Sequence, residues 1–226
     1  MFGKIIKGWF GEKKTQLNMW LWLNDTIYAR YHDVIFPSFN GSSQIDHILI
    51  SRFGVFIIET KNKTGWIFGA EKQENWTQVV WGKKYQFQNP LKQVYRQKKV
   101  LSQFLGINEE YVHTVVYFSG DAKFKTPMPD NVLRSGLSGY VKDFRNEVFS
   151  EEEKSQFIDK IQDHILNSNQ SISEHVRSLR DRHNSTTVCP KCGGELVRKT
   201  AKTGRNAGGQ FLGCLNFPRC RFTRSL

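Results

Sequence analysis

Three charged side chains sit inside two apolar, β-branched runs: Asp46 in "QIDHILIS", and Glu59 and Lys61 in "GVFIIETKNKTG". Charge inside a strand is costly unless something pairs it. The runs flank a short turn and read as an antiparallel hairpin. With Ser51 opposite Gly54, or Ile50 opposite Val55, Asp46 falls directly across from Glu59. Opposed residues hold their Cβ atoms roughly 4.5–5.5 Å apart, and alternation puts Lys61 on the face of Glu59. A three-residue turn or a bulge would break this register. Two carboxylates held together want a proton or a divalent cation, and hard oxygen ligands with waters left over suit Mg²⁺. Such an ion polarises a phosphoryl oxygen and acidifies bound water, while a lysine orients that water or stabilises charge on phosphate. The competing reading is a surface ion-pair ladder on a half-exposed hairpin. His47 and His113 read as strand residues satisfied by local hydrogen bonds rather than as catalysts.

A second constellation lies at the other end. All four cysteines, Cys189, Cys192, Cys214 and Cys220, fall between Val188 and Leu226. Four thiolates suit a closed, tetrahedral, structural zinc site, and a segment this short has too little core to fold without a staple. A redox dithiol is the rival, but Cys214 and Cys220 lack CxxC spacing. The same segment holds eight Lys or Arg against the single acid Glu195, a net +7 of the chain's +12. Phe211, Phe217 and Phe222 interleave there with Arg219, Arg221 and Arg224, a combination that stacks bases and follows a phosphate backbone. The alternative is that some of these phenylalanines fill the small core.

The elements that must position these groups are legible in outline. Residues 8–24 carry Trp9, Leu17, Trp20, Leu21 and Leu23 at helical spacing. "TIYARYHDVIF" (26–36) is a strand, followed by the turn-rich "PSFNGSS"; short aromatic strands follow the hairpin near "WIFGA" and "WTQVV". Asn89-Pro90 starts a helix that Gly106 stops, and "VHTVVYFSG" (112–120) is a buried strand. Ser150 and Glu153 form a capping box for a helix carrying Phe157, Ile158, Ile161 and Ile165. The polar stretch 167–187 is a helical tail and linker. The pattern is a mixed α/β (α+β) domain over 1–166 with a small appendage over 188–226. Apolar runs reach about four residues against the roughly 20 that span a bilayer, and Lys4, Lys7 and Gly8 interrupt any signal-peptide core. The expectation is a cytoplasmic protein whose basic tail meets a polyanion, with no membrane partner and no indication of oligomeric state.

"Asp46…Glu59-Thr60-Lys61" around that hairpin resembles the PD-(D/E)xK nuclease superfamily. More closely, "GWFGEKKTQLNMWLWL", "QIDHILIS", "GVFIIETKNKTGWIFG" and "NPLKQ", in this order over roughly 8–120, resemble the nuclease-related (NERD) domain. Ile45 stands where the superfamily has proline. The resemblance implies a central mixed sheet flanked by helices and a metal-dependent DNA nuclease hydrolysing phosphodiester bonds. It implies Asp46, Glu59 and the Thr60 carbonyl as ligands of Mg²⁺ or Mn²⁺, and Lys61 acting on the attacking water. It also implies Glu12 holding a metal-bound water and Gln93 near the active centre. "CPKCGGELV" and "GGQFLGCLNFPRCRF" resemble the zinc ribbons of bacterial type I topoisomerases, which implies binding of single-stranded DNA. A non-catalytic nucleic-acid-binding protein on a nuclease fold is the second reading; it leaves opposed carboxylates facing a polyanion without a purpose.

Overall fold

The computed structural model describes residues 23–38, 41–168, 181, 184–190, 192, 194–204, 207–218 and 220–226. The helix expected over 8–24, Glu12, Arg219 and most of the tail over 167–187 lie outside the described residues. In chain order the elements are β1 (Ala29–Ser38), β2 (Gly41–Ser51), β3 (Gly54–Thr60), β4 (Gly65–Phe68), β5 (Asn75–Val80) and β6 (Lys83–Gln88). Then come α1 (Pro90–Leu105), a 3-10 turn (Glu109–Tyr111), β7 (Val112–Tyr117), β8 (Ala122–Phe124), β9 (Val132–Leu133), α2 (Leu137–Lys142) and α3 (Glu151–Asn167). The last strands are β10 (Leu196–Thr200), β11 (Gln210–Cys214) and β12 (Thr223–Ser225). The fold is mixed α/β. The described residues divide into two compact units, the first holding 23–36 and 44–168, the second holding the described residues of 37–43 and of 181–226. No helix among the described residues is long and apolar enough to cross a membrane.

The first unit is organised by the sheet β1-β2-β3-β7-β9. β2 and β3 are antiparallel, joined by a two-residue turn that pairs Ser51 with Gly54; β3 and β7 run parallel. From Gly54 to Glu59 every residue of β3 is buried. Val55 and Ile57 face a core shared with Leu101 and Leu105 of α1 and with Phe157 and Ile161 of α3. Phe56 and Ile58 face the opposite core, with Leu137 and Val141 of α2. Burial on both faces is why the run "VFII" is continuously apolar instead of alternating. Each fully buried side chain of this size contributes about 1.5–3 kcal/mol.

A second sheet, β6-β5-β4-β8, follows from the end of β3. Its inner face places Ile67 and Trp76 against Val94 of α1 and Phe118. The start of α1 is fixed by Asn89, whose side chain accepts from Leu91 N at 2.9 Å and donates to the carbonyls of Glu71 and Gln73 at 2.9 and 2.7 Å. The cap therefore ties the β4–β5 loop to the helix, and the helix stops at Gly106 in the left-handed conformation. The capping box of Ser150 and Glu153 opens α3.

Some boundaries differ from the sequence reading. The first strand begins at Ala29 rather than 26, because Asn24 makes a turn in which its carbonyl accepts from Tyr28 N at 2.9 Å. The segment read as the turn "PSFNGSS" belongs largely to β1 and β2, which extend to Ser38 and from Gly41. The strand read over 112–120 ends at Tyr117. β6, β8, β9 and α2 have no counterpart in the sequence reading. "KKYQFQ" is largely exposed, and β8 and β9 are three and two residues long, too short for periodicity to register.

Candidate active site and zinc centre

The hairpin ladder runs in register from Ser51–Gly54 to His47–Ile58, and Asp46 and Glu59 stand one step beyond it. Alternation in β2 breaks at this point. Ile45 packs in the same core as Ile48 and Ile50, although strict alternation would send it to the other face. The Asp46 carboxylate takes up the ladder instead, its Oδ2 accepting from Thr60 N at 2.9 Å. A local bend of this kind aims a side chain across the end of its neighbour.

Glu59 is 3% exposed and shares the face of Ile57, toward α1. Its Oε1 accepts from Lys61 Nζ at 2.6 Å and its Oε2 from Gln97 Nε2 at 2.9 Å. Lys61 Nζ also donates to Gln93 Oε1 at 3.0 Å, and its side chain keeps 20% exposure. Gln97 Nε2 reaches back to the carbonyl of Gln44 at 2.9 Å, so α1 clamps β2 and β3 together. The structure thus brings Asp46, Glu59, Thr60, Lys61 and Gln93 to one strand end. Gln97 joins them, four residues after Gln93 on the same helix face. That i,i+4 glutamine pair was the available sequence signal for it.

Thr60 Oγ1, Gln97 Oε1 and Ser119 Oγ are buried without a hydrogen-bond partner among the described residues, and Ser119 N donates to Lys61 O at 3.2 Å. Buried polar atoms are normally satisfied by protein, water or ions. Their concentration around the β3 end fits a polar site that takes up water and a cation. The donor set of two carboxylates and amide oxygens is hard, as Mg²⁺ and Mn²⁺ require.

Among the described residues no histidine joins this cluster. His47 is buried with its Nδ1 2.8 Å from His32 Nδ1, and burial, reinforced by His32, lowers its pKa to about 3. His113 packs its ring against Phe144 at 4.0 Å between centroids, and burial, then Lys98, lowers it to about 4.

In the second unit, β10, β11 and β12 form an antiparallel sheet behind the four cysteines. The four Sγ atoms lie within 4.8 Å of one another, and none is in a disulfide. Cys189 to Cys220 is 3.7 Å and Cys192 to Cys214 is 3.3 Å. A tetrahedral ion with Zn–S bonds of about 2.3 Å separates its sulfurs by about 3.8 Å, so the set fits zinc. Burial pushes the Cys220 thiol up to about 12. Burial also raises Cys192, but hydrogen bonds from the Gly194 backbone, Cys214, Cys220 and Asn216 carry it down to about 7. Thiols this close cannot all ionise without a cation.

The aromatic residues of this unit divide. Phe222 packs on the cysteine core, whereas Phe217 is 62% exposed with Lys199 Nζ 5.7 Å from its ring centroid. Phe211 is half-buried, Arg221 is exposed, and Arg224 Nη1 donates to the carbonyl of Ser185 at 2.6 Å.

Comparison with known proteins follows the same division. A family model described as the nuclease-related domain (NERD) matches residues 7–119, and one described as the topoisomerase DNA binding C4 zinc finger matches residues 186–226. An uncharacterized protein of Bacillus anthracis is 43% identical over 96 residues, covering 42% of this chain and 45% of that protein. DNA topoisomerase 1 of Archaeoglobus fulgidus is 50% identical over 55 residues, 24% of this chain and 8% of that enzyme. The enzyme of the same name from Helicobacter pylori strain 26695 is 36% identical over 51 residues, 23% of this chain and 6% of its own length. The chain spans less than half the length of these curated relatives. No solved structure matches it.

Proposed function

The chain belongs to the nuclease-related domain family, and from that premise we propose that it is a metal-dependent nuclease that hydrolyses phosphodiester bonds in DNA. The observation that carries the reading is the convergence of Asp46, the buried Glu59 and Lys61 at one strand end, held from above by Gln93 and Gln97. Fold stability alone gives little reason to bury a carboxylate and an ammonium here, since such pairs roughly break even against apolar residues.

In this reading Asp46 and Glu59, helped by the Thr60 carbonyl, hold Mg²⁺ or Mn²⁺. Such an ion would supply Lewis acidity toward the phosphodiester and the attacking water. Lys61, held by Glu59 Oε1 and Gln93 Oε1, orients the attacking water and balances charge growing on the phosphate. The water oxygen would bond to phosphorus while one ester P–O bond breaks, the water's proton passing to solvent and the leaving sugar oxygen taking one up from it. Glu12, on the helix expected over 8–24, is proposed to hold a metal-bound water.

The domain organisation proposed is a nuclease body over 1–166, a tail over 167–187 and a structural zinc ribbon over 188–226. The ribbon delivers the body to single-stranded DNA, with Phe217 as its exposed stacking ring and Phe211, Arg219 and Arg221 as further assigned contacts. Four free thiols fit a reducing compartment, the cytoplasm.

The 2.6 Å Glu59–Lys61 pair also supports the second reading, a non-catalytic nucleic-acid-binding protein in which the charges simply neutralise each other. Circular single-stranded and duplex DNA incubated with the protein, with and without Mg²⁺ or Mn²⁺, separates the two. Metal-dependent nicking lost in Glu59→Gln supports the nuclease. Binding without nicking, or nicking that Glu59→Gln retains, refutes it.

A further inference from the structure

The turn between β5 and β6 consists of Trp81 and Gly82, because Val80 pairs directly with Lys83. Both turn residues are left-handed, with φ of 53° and 74°. Two-residue hairpin turns of this hand favour Asn, Asp or Gly, and a bulky side chain at positive φ is an outlier. Trp81 is moreover 96% exposed, so its indole adds almost nothing to the core. Neither local conformation nor packing accounts for a tryptophan here.

Its surroundings do. Register places Lys84, Val79, Trp66 and Lys123 in one row across β6, β5, β4 and β8 on the outer face of the sheet. Trp66 is 49% exposed, and Lys125 Nζ lies 4.6 Å from its ring centroid. Between the two tryptophans is an open cleft of about 390 Å³, lined also by Gly65, Val79 and Val80. Lys84 and Lys123 in that row, and Lys125 on the Trp66 ring, are exposed on the same face.

We propose that this outer face is a platform for a single-stranded nucleic acid, in which an unstacked base enters the cleft between Trp66 and Trp81 and Lys84, Lys123 and Lys125 contact the flanking phosphates. An apolar protein partner would cover the tryptophans but strand the lysines, and a simple polyanion would leave the tryptophans in water. A strand of unpaired bases on phosphates satisfies both. Only the destination of that strand rests on the nuclease reading. Lys61 N donates to Tyr117 O and Ser119 N to Lys61 O, so the chain leaves β3 and β7 side by side and enters β4 and β8. Trp66 lies five positions beyond Lys61, a span of at most about 18 Å. A strand on the platform therefore lies within about 18 Å of Lys61.

The test uses the full chain without added Mg²⁺ or Mn²⁺, so that binding is read apart from cleavage. A single-stranded oligonucleotide carrying 5-bromouracil should photo-crosslink to Trp66 or Trp81, mapped by peptide mass spectrometry. Trp66→Ala and Trp81→Ala should each weaken its binding about tenfold, and Trp81→Phe should preserve it. Trp81→Asn should raise the melting temperature, because Asn suits the turn, yet bind as weakly as Trp81→Ala; a structural role predicts no loss of binding. Crosslinks confined to residues 188–226, or wild-type affinity in Trp81→Asn, would overturn the platform. Competition by duplex DNA as effective as by single strand would overturn its assignment to unpaired bases. Glu59→Gln should leave the crosslink intact, so loss of nuclease activity and loss of the platform are separate results.

Discussion

Replacing Lys61 with Met should destabilise the first unit and at the same time make it more responsive to divalent metal. The reason lies in Glu59, which is 3% exposed and has its Oε1 2.6 Å from the Lys61 ammonium. Without that ammonium the carboxylate keeps the Gln97 amide at 2.9 Å as its remaining partner. Removing one member of a buried ion pair costs roughly 3–5 kcal/mol. The Lys61 side chain is 20% exposed, so water can reach the Oε1 side once it is removed. The lower end, about 3 kcal/mol, is therefore expected, a fall in melting temperature of roughly 6–12 °C for a unit of this size. Mn²⁺ at a hundred times its dissociation constant stabilises any protein that binds it by about 2.7 kcal/mol. In the wild type the ion competes with the ammonium for Glu59; in Lys61→Met it does not, and binds at lower concentration. Melting curves across a Mn²⁺ titration should therefore show the larger rise in the variant, even though its cleavage is abolished. Adding Glu59→Gln should remove the response. A Lys61→Met protein that melts within about 2 °C of wild type, or responds less to Mn²⁺ than wild type does, would refute the argument.

Other perturbations have equally direct readouts. A Cβ at Gly120 would sit 2.3 Å from the Lys63 carbonyl oxygen, so Gly120→Ala should displace the segment after Lys61, cost about 1–3 kcal/mol, and depress cleavage more than DNA binding. His113 is held down to about 4 by burial and then by Lys98. The unfolded chain thus takes up a proton near pH 6.5 that the folded one refuses, and stability falls as pH drops from about 6.5 toward 4. The ring is only half-buried, so the loss by pH 5 should be about 1 kcal/mol rather than the roughly 2 of the full shift, and His113→Phe should flatten that limb of the melting profile. Stripping zinc with a chelator, or replacing Cys189 and Cys214 with Ser, should unfold the second unit while the first retains its melting transition; purified, reduced protein without bound zinc would refute this.

Local rules carried much of the architecture. A short turn between two apolar runs set the β2–β3 register, since strand alternation leaves one arrangement that buries both runs. Asn89, Pro90 and Gly106 marked the ends of α1 because capping is a property of a few adjacent residues. The four cysteines announced their own cluster, their chemistry having few other uses at that spacing. Other features belong to the tertiary structure alone. From sequence, Asp46 and Glu59 read as mutually repelling carboxylates. In the fold Asp46 accepts from the Thr60 N–H, and Glu59 is held by Lys61 and by Gln97, a residue 38 positions away with no distinctive local setting. The break in β2 alternation at Asp46 and the strands β6, β8 and β9 were likewise invisible, as was the row that sets Trp66 beside Lys84 and Lys123 on one face. Periodicity tells a residue which face it occupies; its partners there depend on which distant element crosses that face, and long-range packing alone decides that.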